Sequence, residues 1–108
     1  MKLYIGGAYQ GQLELARAEN PDALILEDFH EAVQEAMQRG EDARAFAQSV
    51  IAAHPDAVIV ANEVGAGVVP MEAQERAFRE AVGRALCVIA QEAQQVTRVV
   101  CGIGVRIK

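Results

Sequence analysis

Two polar residues and two glycines follow an apolar run in the middle of the chain. The run spans residues 57–60, and Asn62, Glu63, Gly65 and Gly67 come after it. Polar groups at the carboxyl end of a buried strand lie where open α/β sheets place their ligand sites. A carboxylate there can hold a ribose hydroxyl, a metal-bound water or an amide network, and glycines let backbone approach a ligand. We therefore predict a ligand site; alternatively, the polar pair pins the loop through backbone hydrogen bonds and the glycines supply positive φ.

A second glycine pattern lies near the N-terminus. Gly6 and Gly11 have the Gly-x-x-x-x-Gly spacing of a phosphate loop, in which backbone amides surround phosphates, a lysine neutralises them and a hydroxyl binds Mg²⁺. Here Gln12 occupies the lysine position and Leu13 the hydroxyl position. An amide in place of an ammonium loses a charge-assisted contact of about 1.5–3 kcal/mol, and leucine cannot ligate magnesium. The pattern predicts a nucleotide or phosphate site at Gly6, Gly7, Gly11 and Gln12, or alternatively only a strand-to-helix turn.

One acidic residue and two histidines complete the set of candidates. Asp28 follows the apolar run 23–26, in the position from which many P-loop proteins hold Mg²⁺ through water. It is predicted as a metal ligand, or alternatively as the cap of the following helix. His30 could point into the same cleft, whereas His54 is expected to be a solvated turn residue beside a proline.

Strand and helix patterns alternate around these residues. Apolar runs predict strands at residues 3–5, 23–26, 57–60 and 97–103. Apolar residues at helical spacing predict helices at residues 12–18 and 29–39, between Asp42 and His54, and after Pro70. Asp42 is expected to cap the third helix, and Gly40 to follow the end of the second. The last helix should bury a stripe formed by Phe78, Val82, Ala85, Ile89 and Ala93. This alternation predicts one small three-layer α/β domain, residues 1–108, with a mainly parallel sheet of about four strands and helices on both faces.

Composition narrows the functional classes. The chain has 108 residues, 52% of them hydrophobic, and a formal net charge of −5. Because binding to nucleic acid needs a clustered basic face, nucleic acid is not an expected partner. The apolar run at residues 3–5 is too short for a signal sequence or a membrane span, so no membrane association and a cytoplasmic location are expected. Cys87 and Cys101 form no metal or redox motif and are expected to be buried thiols.

Three segments, in this order along the chain, resemble the adenosylcobinamide kinase / adenosylcobinamide-phosphate guanylyltransferase family, a P-loop group of cobalamin synthesis. Residues 6–13 are similar to its loop Gly-Gly-Ala-Arg-Ser-Gly-Lys-Ser. Residues 62–70 match its pattern Asn-Glu-Val-Gly-x-Gly-Val/Ile-Val-Pro, and residues 76–84 resemble its helix Arg-x-Phe-Arg-Asp-x-x-Gly-Arg. The resemblance implies a P-loop-like domain, a kinase for the aminopropanol arm of adenosylcobinamide, and transfer of GMP from GTP. It also assigns Asp28 to the family's aspartate after an apolar strand.

The same resemblance exposes departures from the family pattern. Besides Gln12 and Leu13, the segment that should carry a nucleotide-accepting histidine is reduced to residues 18–22. The arginines of the last helix, which by resemblance could meet phosphate, each follow a glutamate by four residues, a spacing that stabilises a solvated helix by about 0.2–0.5 kcal/mol per pair. These arginines are Arg76, Arg79 and Arg84.

The resulting functional prediction is a shortened, catalytically impaired homologue of the bifunctional enzyme. It should bind a nucleotide or a corrinoid weakly, using GTP or ATP with Mg²⁺, and should need no cofactor in order to fold. The alternative is a non-catalytic interaction or assembly protein of corrinoid metabolism. A homo-oligomer is expected because the small core and the missing segment should leave apolar surface uncovered.

Overall fold

Strands and helices alternate along the chain in the computed structural model, which describes residues 1–63 and 72–108. Within these residues the strands are β1 (Lys2–Gly6), β2 (Ile25–Leu26), β3 (Val58–Asn62), β4 (Gln95–Val100) and β5 (Ile103–Arg106). The helices are α1 (Gln12–Glu19), α2 (Phe29–Gln38), α3 (Ala43–Ala53) and α4 (Ala73–Glu92). The predicted α/β class is therefore confirmed. Pro70, expected in the first turn of the last helix, lies outside the described residues.

The strands form one sheet in the order β2-β3-β1-β4-β5. Strand β1 lies at its centre and is parallel to both β3 and β4, with Leu3 opposite Ile59 on one side and Val96 on the other. Strand β2 is parallel to β3, and β5 is antiparallel to β4. Because β1 and β3 are parallel and in register, their carboxyl ends meet, which brings Gly6 beside Asn62.

Helices cover both faces of the sheet, as predicted. One face packs against α2, α3 and α4 in a core that includes Leu3, Ile59, Val33 and Val82. The other face packs against α1 in a smaller core around Tyr4 and the valines of β3. Four of the five residues in the predicted stripe of α4 are buried, namely Val82, Ala85, Ile89 and Ala93. Alternation of side chains along the strands thus builds two cores from one sheet.

Tyr4 is tied to the end of α1 beneath the smaller core. Its hydroxyl donates to Oε1 of Glu19 at 2.7 Å and accepts a hydrogen bond from Nδ2 of Asn20 at 2.9 Å. Burial and the adjacent Glu19 carboxylate both raise the pKa of Tyr4 above its ordinary value of 10.0. The neutral phenol therefore belongs to the folded state.

Two of the predicted helix caps can be compared with the geometry. Asp42 caps α3 as expected, because its Oδ2 accepts the backbone N–H of Ala45 at 3.0 Å. Gly40 follows Arg39, the C-cap residue of α2, with φ of 82°, the left-handed conformation that glycine adopts readily. The capping alternative for Asp28 is confirmed in position only, because Asp28 is the N-cap residue of α2. Asp28 immediately precedes α2 with φ of 53°, and its side chain makes no capping hydrogen bond.

The single strand predicted at residues 97–103 is instead a hairpin. Strands β4 and β5 flank a two-residue turn at Cys101 and Gly102, whose φ angles are 51° and 77°. Positive φ at both central residues is the geometry of a tight hairpin turn that matches strand twist. The β-branched run concealed this reversal. At the other edge, the strand predicted at residues 23–26 is shorter and comprises only Ile25 and Leu26.

Close packing of the hairpin against α1 depends on one glycine. A Cβ atom on Gly104 would lie 2.8 Å from Cδ2 of Leu15 and 2.9 Å from Cγ2 of Thr97. Real Cβ atoms do not approach other carbons so closely, so a larger residue would require the side chain of Leu15 or Thr97 to shift.

The expectation that both cysteines are buried is wrong. Cys87 lies on the outer side of α4, and Cys101 lies in the hairpin turn, and both are exposed. Apolar neighbours in sequence do not bury a residue when a helix or turn directs it outward, since burial depends on which face packs.

Candidate functional site

A cleft of about 640 Å³ opens at the carboxyl ends of β1 and β3. The loop after β1, the first turns of α1 and α2, the end of β3 and the hairpin turn all contribute to it. Its lining includes Gln10, Gly11, Gln12, Asp28, His30, Asn62 and Cys101. This is the edge at which open α/β sheets bind ligands, and two segments predicted separately from sequence converge there.

Gln12 is held at the base of the cleft. Its Nε2 donates to the carbonyl oxygen of Gly7 at 3.0 Å and to Oδ1 of Asn62 at 2.9 Å. The carbonyl oxygens of Gly6 and Ala61 lie slightly farther away, at 3.2 Å and 3.4 Å. The residue is only 5% exposed. Because all four neighbours are acceptors, the atom among them must be the amide nitrogen, and Gln12 joins the first loop to the end of β3.

Asn62 is held from the opposite direction by His30. The backbone N–H of Asn62 donates to Nδ1 of His30 at 3.1 Å. An imidazole nitrogen accepts a hydrogen bond only when it carries no proton, so this contact requires Nδ1 to be unprotonated. His30 therefore lines the cleft, as the sequence suggested, but its observed contact is with backbone. The register of α2 against β3, which creates this contact, has no signal in the sequence.

Gln10 fastens the first loop to the hairpin turn. Its side-chain oxygen accepts the backbone N–H of Cys101 at 2.7 Å, and its backbone oxygen accepts that of Gly102, also at 2.7 Å. Sequence reasoning missed this residue because the hairpin itself was not predicted. The loop is thus fixed by Gln12 on its inner side and by Gln10 on its outer side.

Carboxylates dominate the charge of the cleft. Glu14, Glu27, Asp28 and Glu31 line it, and no Lys or Arg is among the described residues that do. Arg17 approaches Glu27 at 3.6 Å, in a pair that is largely exposed on both sides and therefore screened. Like charges repel, so this lining disfavours a bare polyphosphate.

The predicted metal ligand, Asp28, is one of the four carboxylates that line the cleft. Asp28 lies on the cleft wall, as a magnesium ligand would require. Over residues 1–63 and 72–108, no group of three or more His, Cys, Asp or Glu side chains is arranged to hold a metal ion. The metal role of Asp28 therefore stays a prediction.

The remaining predicted site residues have different surroundings. Gly6 and Gly7 present carbonyl oxygens to Gln12, and Gly6 also accepts the backbone N–H of Glu63 at 2.7 Å. The Glu63 carboxylate lies 3.7 Å from the guanidinium of Arg98. Gly65 and Gly67 lie outside the described residues.

One of the predicted glutamate–arginine pairs on α4 is an exposed ion pair of the kind that solvated helices carry. Arg84 pairs with Glu80 one turn earlier, as the four-residue spacing predicts. Both side chains are more than half exposed. Arg76 and Arg79 lie on the same helix and also have interaction partners.

The linker between α1 and β2 is short. Helix α1 ends at Glu19 and β2 begins at Ile25, so only residues 20–24 connect them. This agrees with the shortened segment that the family resemblance indicates at residues 18–22. Within the described part of the chain, no helix is long and apolar enough to cross a membrane.

Comparison with known proteins gives one consistent match. The family model "Cobinamide kinase / cobinamide phosphate guanyltransferase" matches residues 11–107. The bifunctional adenosylcobalamin biosynthesis protein CobU of Escherichia coli (strain K12) is 49% identical over 51 residues, which are 47% of this chain and 28% of that protein. The protein of the same name from Salmonella typhimurium has the same identity and the same coverage. The aligned part of this chain thus spans about a quarter of the length of these relatives, and the first glycines of the N-terminal loop precede the family match.

Proposed function

Because the chain belongs to the cobinamide kinase / cobinamide phosphate guanyltransferase family, we propose that it acts in cobalamin biosynthesis through weak binding of a nucleotide or a corrinoid in the cleft. We further propose that it transfers no phosphoryl group by itself and that it works in the cytoplasm. The family match and the position of the cleft support the binding role.

The observation that carries the loss of catalysis is the placement of Gln12. A phosphate loop neutralises the β- and γ-phosphates with a lysine ammonium and holds Mg²⁺ with the next hydroxyl. Gln12 instead donates both amide protons to acceptors of the protein, and Leu13 has no side-chain oxygen that could bind Mg²⁺. The four carboxylates around the cleft add repulsion where a triphosphate would need cations. Transition-state charge would therefore have no cationic side chain to stabilise it among the described residues that line the cleft.

A nucleotide could still enter together with Mg²⁺. Asp28 would hold the metal through water, and the metal would supply the positive charge that the cleft lacks. Gly11 and the start of α1 would face the phosphates through backbone N–H groups. Such binding is expected to be weak, because the lost ammonium contact alone is worth about 1.5–3 kcal/mol.

The test is calorimetric titration of the purified protein with GTP, ATP and cobinamide, each with and without Mg²⁺. Binding of at least one of them, weakened by Asp28→Asn in the case of a Mg²⁺–nucleotide, is the expected result. A parallel assay follows transfer of labelled γ-phosphate to cobinamide, and no transfer above background is expected. Mg²⁺-dependent turnover that Asp28→Asn abolishes would refute the loss of catalysis, and absence of binding by every ligand would refute the binding role.

A second candidate function, interaction or assembly in corrinoid metabolism, is favoured by an apolar surface on the hairpin. Val100, Ile103, Val105 and Ile107 are 47–67% exposed. Val100 pairs with Ile103, and Val105 follows Ile103 by two residues, so these three side chains share a face at the sheet edge, together with Arg98. We propose self-association through this edge. Sedimentation of the wild type and of Val105→Lys should show an oligomer that the substitution dissociates, and a monomeric wild type at micromolar concentrations would exclude it.

A further inference from the structure

Asn62 has its side-chain orientation fixed by Gln12. An asparagine carboxamide can normally present either its oxygen or its nitrogen to a neighbour. Here the atom of Gln12 that faces Asn62 is Nε2, since it also lies within hydrogen-bonding distance of carbonyl oxygens of Gly7 and Gly6. A donor requires an acceptor opposite, so the Asn62 atom at 2.9 Å is Oδ1.

The other branch of the same carboxamide is then available to a ligand. No described residue accepts a hydrogen bond from Nδ2 of Asn62, and Asn62 lines the cleft. Among the described residues, no side-chain N or O atom is both fully buried and without a partner. Within the described part of the chain Nδ2 therefore has no acceptor, and the direction of its two protons is set before any ligand arrives.

The negative charge of the cleft determines which kind of ligand acceptor should bind to this donor. Four carboxylates line the walls, and the described residues lining them supply no basic side chain. An anionic group would gain one hydrogen bond from Nδ2 while meeting repulsion from all four. An uncharged oxygen, such as a carboxamide carbonyl, gains the hydrogen bond without that repulsion.

We infer that Gln12 is a positioning residue that orients Asn62, and that Nδ2 of Asn62 is a specificity-determining donor for an uncharged oxygen acceptor on the ligand. The inference rests on the proposed binding function and names the ligand chemistry of the same cleft. It also gives the residue at the lysine position a role that does not require a bound phosphate.

Asn62→Asp separates the two branches of the carboxamide. The variant keeps an oxygen for Gln12 Nε2 and replaces the Nδ2 donor by a second acceptor. Because its new carboxylate adds to the negative charge of the cleft, a urea denaturation curve of the variant without ligand checks that it is folded. The probe is cobinamide, whose side chains end in carboxamides. Added negative charge cannot repel an uncharged group, so weaker binding would report the lost donor, and we expect about a tenfold or greater loss of affinity, which corresponds to about 1.4 kcal/mol or more.

The positioning role is read from the side-chain amide signals of Asn62 by NMR of the ligand-free protein. In the wild type these signals should indicate one fixed orientation. Gln12→Leu should remove it, and Gln12→Lys, whose ammonium can donate to the same acceptors, should restore it. Loss of the fixed orientation in both variants, or its persistence in Gln12→Leu, would overturn the positioning role.

The binding outcomes distinguish this inference from the function on which it rests. Equal affinity of wild type and Asn62→Asp for cobinamide overturns the inference and leaves the binding function intact. Binding of GTP with Mg²⁺ but not of cobinamide does the same. No binding of either probe overturns both.

Discussion

Replacing Gln12 by leucine tests whether the first loop is held by a hydrogen-bonded amide. The two side chains have similar volume, so the substitution removes the polar contacts without opening a large cavity. Nε2 has two protons, and the shortest contacts assign them to Gly7 and Asn62. Gly6 keeps a second donor, the backbone N–H of Glu63, so its carbonyl oxygen stays satisfied.

The expected cost follows from these contacts. Two hydrogen bonds of about 0.5–1.5 kcal/mol each are lost, which is about 1–3 kcal/mol in the free energy of unfolding. For a domain of this size, that predicts a fall of about 4–24 °C in the melting temperature. Gain of apolar burial by leucine is small, because its methyl groups would face carbonyl oxygens.

Urea denaturation followed by circular dichroism measures this change. Gln34→Leu is the matched control, since Gln34 lies on the exposed side of α2 and the same substitution there should change stability by less than about 0.5 kcal/mol. If Gln12→Leu is no more destabilising than Gln34→Leu, the amide does not hold the loop. Gln12→Lys should lose less stability than Gln12→Leu, because an ammonium can donate to the same oxygens.

Four further changes have expected outcomes. Tyr4→Phe should cost about 0.5–1.5 kcal/mol at neutral pH. The pKa of Tyr4 is raised in the folded state, so its contribution to stability is fully present below the unfolded pKa and is lost as pH rises through the folded pKa. In urea denaturation at increasing alkaline pH, stability should therefore decline less steeply in Tyr4→Phe than in the wild type. Gly104→Ala should destabilise the protein by about 1–3 kcal/mol, because the added methyl group would overpack the contact with α1. Gly83→Ala on α4 should stabilise the protein by about 0.5–1 kcal/mol in the same denaturation assay, because its methyl group would meet open space. Glu63→Gln should change the melting temperature little, because the ion pair of Glu63 with Arg98 is largely exposed on the arginine side, and a weakened response to GTP or cobinamide would assign Glu63 to the ligand.

Periodicity predicted the parts of the fold that depend on local pattern. The stripe of α4 and the cap at Asp42 were found because helical spacing and N-cap chemistry are encoded within a few residues. The hairpin was missed because Cys101 and Gly102 are not a common turn pair, and the β-branched residues on both sides favour strand equally. The exposed cysteines were missed for a related reason, since hydrophobic neighbours in sequence do not fix which way a residue faces.

The candidate site was predicted in its location but not in its contacts. Parallel strands followed by polar residues and glycines indicate a cleft at their carboxyl ends, and Gly11, Asp28 and Asn62 do meet there. The contact from Asn62 to His30 spans thirty-two positions of sequence and depends on how α2 packs beside β3. Sequence comparison represents Gln12 only as a missing lysine, because its hydrogen bonds exist only after β1 and β3 have paired.

The contacts of the first loop explain how it can keep its shape without the lysine. In a nucleotide-binding loop, the ligand itself contributes many of the contacts that order the backbone. Here Gln12 and Gln10 supply hydrogen bonds from both sides, to the end of β3 and to the hairpin turn. The loop conformation is therefore stabilised by the fold and does not depend on a bound phosphate. It follows that Gln12→Lys alone should not create a tight nucleotide site, because Leu13 still lacks a metal ligand and the carboxylates of the cleft remain.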